Sequence, residues 1–480
     1  MFKILYFRGE KMKKEAILKN LLEEIKRNNL SVFAGAGLSK GAGYPDWKEL
    51  ASEIVEELGL DVKKETDMIA LVQYAYNNKK KNRNYINELI KNKFLEDNKY
   101  SNDMDVLSRL PIRYYWTTNY DLLIERTLKK LNKVVDVKIY HDDLSNNIYN
   151  RDVVLYKIHG DANNPNDAVL TRDDYEEFSG NRGFFIDKLI GELVSSTFLF
   201  IGYSFSDPNF EKLLAKIRIK LSRNSRTHYY FVKKISREEC TSDEDFEYQK
   251  IKQQLQIEDL SYYYLEPIIV DEFSEITSFL IELEHRLKIH NVFISGSAFE
   301  YGDQWDINKT KTFIQSLSKR LVQNGNKIIS GYGLGIGGFV IEGASLAIDP
   351  TKQDVSNHFE LHPFPQKIEK DEDSQEIWKG HRKKIIGLSN FAIFVFGNKI
   401  VNGEVKEAKG VYNEFEIADK LGLTIIPIAS TGYAAQGIMK IVSENLDKYA
   451  YLKEYIELLS NELDIDKIIN TVLEIINKGA

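Results

Sequence analysis

Ser31-Val32-Phe33-Ala34-Gly35-Ala36-Gly37-Leu38-Ser39 is the stretch from which the fold can be read. Ser31 to Ala34 is a short run that predicts a buried strand, and it passes straight into a glycine turn. The same grammar recurs. Tyr114 to Thr117 runs into Thr118-Asn119-Tyr120-Asp121, and Val153 to Ile158 runs into His159-Gly160-Asp161. Phe198 to Ile201 runs into Gly202-Tyr203-Ser204-Phe205-Ser206-Asp207. In an open α/β sheet, residues just past the strand ends line one crevice. A glycine turn, an amide and an imidazole are therefore expected to meet, a set suited to chemistry on a dinucleotide.

Working outward, helices are expected at residues 14 to 29, where Ile17, Leu18, Leu21, Leu22 and Ile25 recur at helical spacing, and at Trp47 to Leu58, Glu65 to Tyr76 and Glu272 to Leu287. Thr227 to Val232 and Ser261 to Leu265 are expected as two further strands. Alternating strands and helices predict a parallel sheet with crossover helices. The pattern then restarts. Val292 to Ile294 runs into Ser295-Gly296-Ser297, and a helix over Lys309 to Gln323 stops at Gly325. Lys327 to Ser330 runs into Gly331-Tyr332-Gly333-Leu334-Gly335-Ile336-Gly337-Gly338, which turns helical at Phe339 to Leu346. A helix over Gln375 to Ile386 carries Arg382, strands follow at Phe391 to Phe396 and Leu423 to Ile428, and Glu414 is expected to begin the helix between them. The fold class is α/β with two Rossmann-type domains, 12–287 and 290–480.

The 480 residues leave room for two cores, and 43% hydrophobic with 29% charged residues is the balance of a soluble globular protein. A formal net charge of −7 with dispersed Lys and Arg gives no support for a nucleic-acid or anionic-membrane partner. Cys240 is the only cysteine, so neither an intramolecular disulfide nor a cysteine-built zinc site is possible; a reducing cytoplasm fits. Ile4-Leu5-Tyr6-Phe7 is too short for a signal-peptide core, and no run approaches the roughly 18 apolar residues of a membrane span. Met12, followed by Lys13 and Lys14, is a second candidate start beside Met1.

Gly35, Ala36 and Gly37 suggest backbone N–H groups approaching a pyrophosphate; a plain tight turn is the alternative. Lys40 stands where a Gly-x-Gly-x-x-Gly motif needs its third glycine, and the P-loop pattern does not fit either. A neutral imidazole, His159, can take a proton from water or a ribose hydroxyl near neutral pH. Asn119 can hold a water and a hydroxyl through its acceptor and donor. Ser39 and Ser204 suit phosphate or ribose oxygens, or turn capping. Asp46 and Asp121 can face the ribose or the leaving group, while a helix N-cap is an equal reading of Asp121.

Gly35-Ala36-Gly37-Leu38-Ser39 with Gly43-Tyr44-Pro45-Asp46-Trp47 resembles the sirtuin signature Gly-Ala-Gly-x-Ser…Gly-Ile-Pro-Asp-Phe. Thr117-Thr118-Asn119-Tyr120-Asp121 resembles sirtuin Thr-Gln-Asn-Ile-Asp; His159-Gly160 and Gly202-Tyr203-Ser204 stand where sirtuins carry His-Gly and Gly-Thr-Ser. The resemblance covers about residues 30 to 285. It implies NAD binding and cleavage, with Asn119 and His159 catalytic and Gly35, Ala36, Gly37, Ser39, Asp46, Asp121, Gly202 and Ser204 holding the dinucleotide. The four zinc cysteines of protein-deacylating sirtuins have no counterpart, and Lys48 replaces the Arg after Pro-Asp-Phe. A sirtuin-like domain without a zinc module is implied, and a metal-free reaction is expected. NAD+ is then substrate, with no tightly bound cofactor.

Residues 290 to 440 resemble the SLOG superfamily, related to cytokinin-activating phosphoribohydrolases, through the Gly331 to Gly338 loop, Arg382, and Gly410-x-x-x-Glu414. The Pro-Gly-Gly of that family is degraded, with Asn398 to Lys409 intervening, which favours a ligand sensor over a second enzyme. Gly296, Ser297, Gly333, Leu334 and Gly335 would cradle phosphates, Arg382 would clamp one bidentately, and Glu414 would accept ribose hydroxyls. Together the halves resemble the sirtuin-like/SLOG effectors of Thoeris antiphage defence. That resemblance implies an NAD+ hydrolase activated by a cyclic ADP-ribose isomer from a TIR-domain partner protein. It also implies a cytoplasmic homotetramer able to assemble further, binding neither nucleic acid nor membrane. A zinc-less protein deacylase and a non-catalytic nucleotide-binding regulator are the alternatives.

Overall fold

The computed structural model describes residues 2–479 apart from 61, 63, 66, 97–98, 206, 222–224, 350, 352–353 and 365–371. Met1, Thr66 of the expected helix Glu65 to Tyr76, and Ser206 of the fourth loop lie outside the described residues. The chain divides into two compact units, Met1–Glu284 and His285–Ala480.

The first unit is built on seven parallel strands: β1 Leu30–Ala34, β2 Tyr114–Thr117, β3 Val135–Lys138, β4 Val153–Lys157, β5 Thr197–Ile201, β6 His228–Lys233 and β7 Leu265–Val270. Their order is β3-β4-β2-β1-β5-β6-β7. β1, β4 and β5 are buried along their whole length. Helices cover both faces of such a sheet, so its strands read as continuous apolar runs rather than alternating ones. Phe33, Trp116, Tyr156, Phe185, Phe198, Phe200 and Phe210 form the core of one face, each contributing about 1.5–3 kcal/mol by burial. The chain works outward from β1 on one side, then returns to place β5 on the other. The topological switch point therefore lies between β1 and β5, where ligands bind in doubly wound folds.

The second unit repeats the plan. Strands β8 Asn291–Ser297, β9 Lys327–Ser330, β10 Phe359–Leu361, β11 Phe391–Phe396 and β14 Thr424–Ile428 lie parallel in the order β10-β9-β8-β11-β14. Its switch point is between β8 and β11. A separate antiparallel hairpin, β12 Asn398–Val401 and β13 Glu404–Glu407, follows β11 directly.

Several expectations change. The first helix spans Phe2–Lys26 rather than 14–29. Ser261 to Leu265 is not a strand: helix Asp243–Ser261 ends there, Tyr264 turns the chain at φ +61°, and the strand begins at Leu265. That helix has no buried residue, so its sequence lacks the periodic apolar signal. Glu414 lies inside helix Lys409–Lys420, not at its start. Among the described residues no helix is long and apolar enough to cross a membrane.

Candidate functional site

A cavity of about 460 Å³ lies at the carboxyl ends of the first sheet. Its lining comes from the loops after β1 (Ala36, Gly37, Ser39, Asp46), β2 (Asn119, Asp121), β4 (His159) and β5 (Gly202, Ser204, Asp207). All of the residues expected at this site border it except Gly35, which packs behind the wall.

The glycines act differently from the expectation. Gly35 N–H donates to Ile201 O, and Gly37 N–H donates to Gly202 O, both at 2.9 Å. Gly202 has φ +64°, and a Cβ there would stand 2.2 Å from Leu38 N. A Cβ on Gly37 would meet Gly202 Cα at 2.7 Å. Two of the N–H groups assigned to a pyrophosphate thus fasten the β1 loop to the β5 loop. The helix that follows, Ala36–Lys40, is only five residues long, so it adds little of the N-terminal dipole that a longer helix would offer a phosphate.

Asn119 is held from three sides. Its N–H donates to Thr117 Oγ1, and Nδ2 donates to Gly35 O at 3.0 Å and Ser39 Oγ at 2.9 Å. Thr117 Oγ1 donates in turn to Ala34 O. The amide donor expected to serve the ligand is therefore spent internally, as is one acceptor position of Ser39. The Asn119 carboxamide oxygen is left to meet a water or hydroxyl. Asp121 is not the helix N-cap, which is Leu122: its Oδ1 accepts from Leu123 N–H at 2.9 Å, and its Oδ2 is buried with no hydrogen-bond partner. Asp46 caps helix Trp47–Val55, accepting from Glu49 N–H, and Lys40 Nζ sits 2.5 Å from its Oδ2. Burial pushes the Asp46 carboxyl up, but Lys40 and the cap N–H groups hold it below its ordinary range. Ser204 lines the cavity at an exposed position.

His159 is 5% exposed, between the rings of Tyr175 and Phe178 at 5.7 and 5.6 Å. Its Nε2 lies 3.1 Å from Asp207 Oδ2, off hydrogen-bond alignment. Burial pushes the Asp207 carboxyl up, but His159 and the N–H groups of Asn209 and Phe210 outweigh it and leave that carboxyl low. Asp207 is the site residue missed from sequence. Its signal was an acid just before Pro208, at a helix start beyond a strand end. A carboxylate beside an imidazole orients the ring and stabilises the imidazolium formed when it takes a proton.

At the second switch point, Glu414 is buried. Its Oε2 accepts from Ser295 Oγ at 2.6 Å, and its Oε1 lies 3.5 Å from Arg382 Nε. Burial pushes the Glu414 carboxyl up, with Ser295 and Arg382 opposing. The Arg382 guanidinium lies over the Phe364 ring at 4.8 Å. Gly333 and Gly335 press on the β8 loop, where Cβ atoms would stand 1.8 Å from Gly296 O and Ala298 O. Leu334 accepts from Ala298 N–H through its backbone oxygen and leaves its side chain 72% exposed. Ser297 Oγ donates to Asn398 O. Glu414 and Ser297 thus have hydrogen-bond partners outside the expected set, and Arg382 Nε is buried without one.

Among the described residues no three His, Cys, Asp or Glu side chains gather as a metal-binding group. A SIR2-like domain model matches residues 113–259, and the model of the Sir2- and TIR-associating SLOG family matches residues 275–479. The chain is 39% identical to NAD(+) hydrolase ThsA of Bacillus cereus (strain MSX-D12) over 469 residues, 96% of this chain and 98% of that protein. It is 40% identical to NAD(+) hydrolase ThsA of Cytobacillus dafuensis, over 91% of this chain and 90% of that one. Defense-associated sirtuin 2 of Bacillus subtilis is 28% identical over 47% of this chain and 24% of its own length. A SIR2-like region followed by a SLOG region, matched nearly end to end at this identity, means that the chain belongs to the ThsA family.

Proposed function

We propose that the protein hydrolyses NAD+ to nicotinamide and ADP-ribose in the cavity of its first unit. The observation that carries this reading is the meeting of Asn119, Asp121 and the His159–Asp207 pair around one cavity at a parallel-sheet switch point. Cleavage breaks the bond between ribose C1′ and the nicotinamide nitrogen. The ring leaves with the bonding pair and becomes neutral, while the ribose gains oxocarbenium character. Water adds to C1′ and gives its proton to His159, with Asp207 stabilising the imidazolium. The free oxygen of Asn119 positions that water or a ribose hydroxyl. Asp121 Oδ2, buried and unpartnered, accepts from the carboxamide of the leaving group or from a ribose hydroxyl. The chemistry assigned to these groups needs no metal.

The second unit is read as the sensor. A cyclic ADP-ribose isomer, made by a TIR-domain partner, would replace the internal partners of Arg382 and Glu414 and switch cleavage on. It can do so only by binding the active state more tightly than the resting one. The working form is a cytoplasmic homotetramer, able to assemble further, that depletes NAD+ during phage infection.

The test is nicotinamide release from NAD+ by purified protein, with and without cyclic ADP-ribose isomers, acyl-peptide and EDTA. Release that needs no peptide and survives chelation supports the reading. Release only with acyl-peptide would make the protein a deacylase, and loss in EDTA restored by zinc would overturn the metal-free chemistry.

A further inference from the structure

Lys157 ends β4, opposite Thr117 at the end of β2, and its side chain is 0% exposed. Asn119 and His159 each stand two residues beyond this register pair. The Lys157 ammonium donates to Tyr120 O at 3.3 Å and Asp121 O at 2.7 Å, in the loop that carries Asn119. It also donates to Asp161 Oδ2, in the loop that carries His159, and to Glu125 Oε1 at 3.1 Å. Direct backbone bonds run alongside: Ile158 N–H to Thr117 O at 3.1 Å and Ala162 N–H to Tyr120 O at 3.0 Å.

This is an expensive way to fill a core. Taking an ammonium and carboxylates out of water offsets most of their attraction, so an apolar side chain of similar volume would serve stability at least as well. The cluster is also unbalanced. One lysine faces Glu125, Asp161 and the nearby Asp121, and Glu125 Oε2 and Asp121 Oδ2 are both buried without partners. An apolar residue could not hold two loops at once. A cation with several donors, anchored on one strand end and reaching carbonyls of the next, does so.

We propose that Lys157 is a positioning residue that sets the spacing of Asn119 and His159 by tying their two loops to one buried ammonium. It touches no substrate, and its effect passes through the loops. The inference rests on the proposed NAD+ cleavage for its kinetic arm only.

The experiment compares wild type with Lys157→Met, Asp161→Asn and the charge-balanced pair Lys157→Met/Asp161→Asn. Thermal unfolding, amide hydrogen exchange and steady-state nicotinamide release are measured on each. Exchange should accelerate at 119–121 and 159–162 together in every folded Lys157→Met protein, while β1 and β5 stay protected. That arm needs no activity, so its failure is separable from failure of the proposed reaction. A shift of about 1 Å between reacting groups lowers turnover roughly 100-fold. The expected result in both Lys157→Met proteins is a kcat loss of that order with KM nearly unchanged. Where the single variant fails to fold, the balanced pair and the milder Asp161→Asn decide. A balanced pair with wild-type melting, loop exchange and kcat would overturn the proposal and leave Lys157 as filling alone. Acceleration confined to one of the two loops would overturn it as well.

Discussion

The two switch points share one plan and differ in how their polar groups are held. In the first unit the loops after β1 and β5 interlock through Gly37 and Gly202, and the crevice beside them stays open, about 460 Å³. Among the residues that line it, Asp121 Oδ2 is buried without a hydrogen bond and His159 Nε2 faces Asp207 Oδ2 at 3.1 Å. In the second unit Gly333 and Gly335 press on Gly296 and Ala298; Glu414 accepts from Ser295 and Ser297 donates to Asn398 O, while Arg382 Nε, 3.5 Å from Glu414 Oε1, is buried without a hydrogen bond. Asn398 fastens the loop after β8. Its Oδ1 accepts from the N–H groups of Phe299 and Glu300 at 2.8 and 3.0 Å, and its Nδ2 donates to Glu300 O. Glycine-rich turns therefore identify where a crevice is built. They do not say how the polar groups beside it are satisfied, which depends on side chains from distant segments.

The largest effect is expected at catalysis. Asn119→Ala should lower nicotinamide release by about 10²–10⁴-fold, the range for losing a positioned group in proton transfer and orientation. The fold should survive, because the side chain sits past a strand end and adds little core. Near-normal turnover in this variant would remove Asn119 from the site.

The next largest is expected at the interlock. Gly202→Ala places a Cβ 2.2 Å from Leu38 N in a left-handed conformation; the conformation alone costs about 1–3 kcal/mol, and the overlap with backbone adds to it. Melting should fall and the cavity should lose affinity for ADP-ribose. Gly335→Ala, at φ +81° and against Ala298 O, should destabilise by a similar amount while sparing basal turnover. Equal loss of basal turnover in both variants would erase the distinction between the units.

A smaller effect is expected at Asn398. Asn398→Ala removes three hydrogen bonds to the β8 loop and should cost about 1–3 kcal/mol in the melting of the second unit. The freed N–H groups of Phe299 and Glu300 should leave activator binding intact or tighter. Weaker binding would mean that Asn398 belongs to the ligand site rather than to the fastening of the β8 loop.

Much of this plan was legible in the chain. β1, β2, β4, β5, β8, β9 and β11 run into glycine, amide or imidazole, and that pattern predicted two parallel sheets and the meeting of Asn119 and His159 with the glycine turn; β7 was placed too early and β10 was not expected. β3 was not legible because its buried polar residues pair internally, Lys138 Nζ standing 2.8 Å from Asp136 Oδ1. That exchange removes the apolar signature. The β12–β13 hairpin had a readable signal in Asn402-Gly403, both at positive φ, the commonest hairpin turn. The His159–Asp207 pair was hidden for a topological reason: β2 and β1 lie between β4 and β5, so no strand register predicts that contact. The hydrogen bond from Ser295 to Glu414 was hidden too, since a motif names groups without saying what satisfies them.

The central claim is that the first unit cleaves and the second senses. It is tested most directly by nicotinamide release against cyclic ADP-ribose isomer concentration, for wild type, His159→Ala and Arg382→Ala, with isomer binding measured on each. His159→Ala should bind the isomer as wild type does and release no nicotinamide at any concentration. Arg382→Ala should keep any basal release and need about tenfold more isomer, the equivalent of roughly 1.4 kcal/mol from one lost charged contact. Near wild-type turnover in His159→Ala, or an activation curve for Arg382→Ala that superimposes on wild type, would contradict the account.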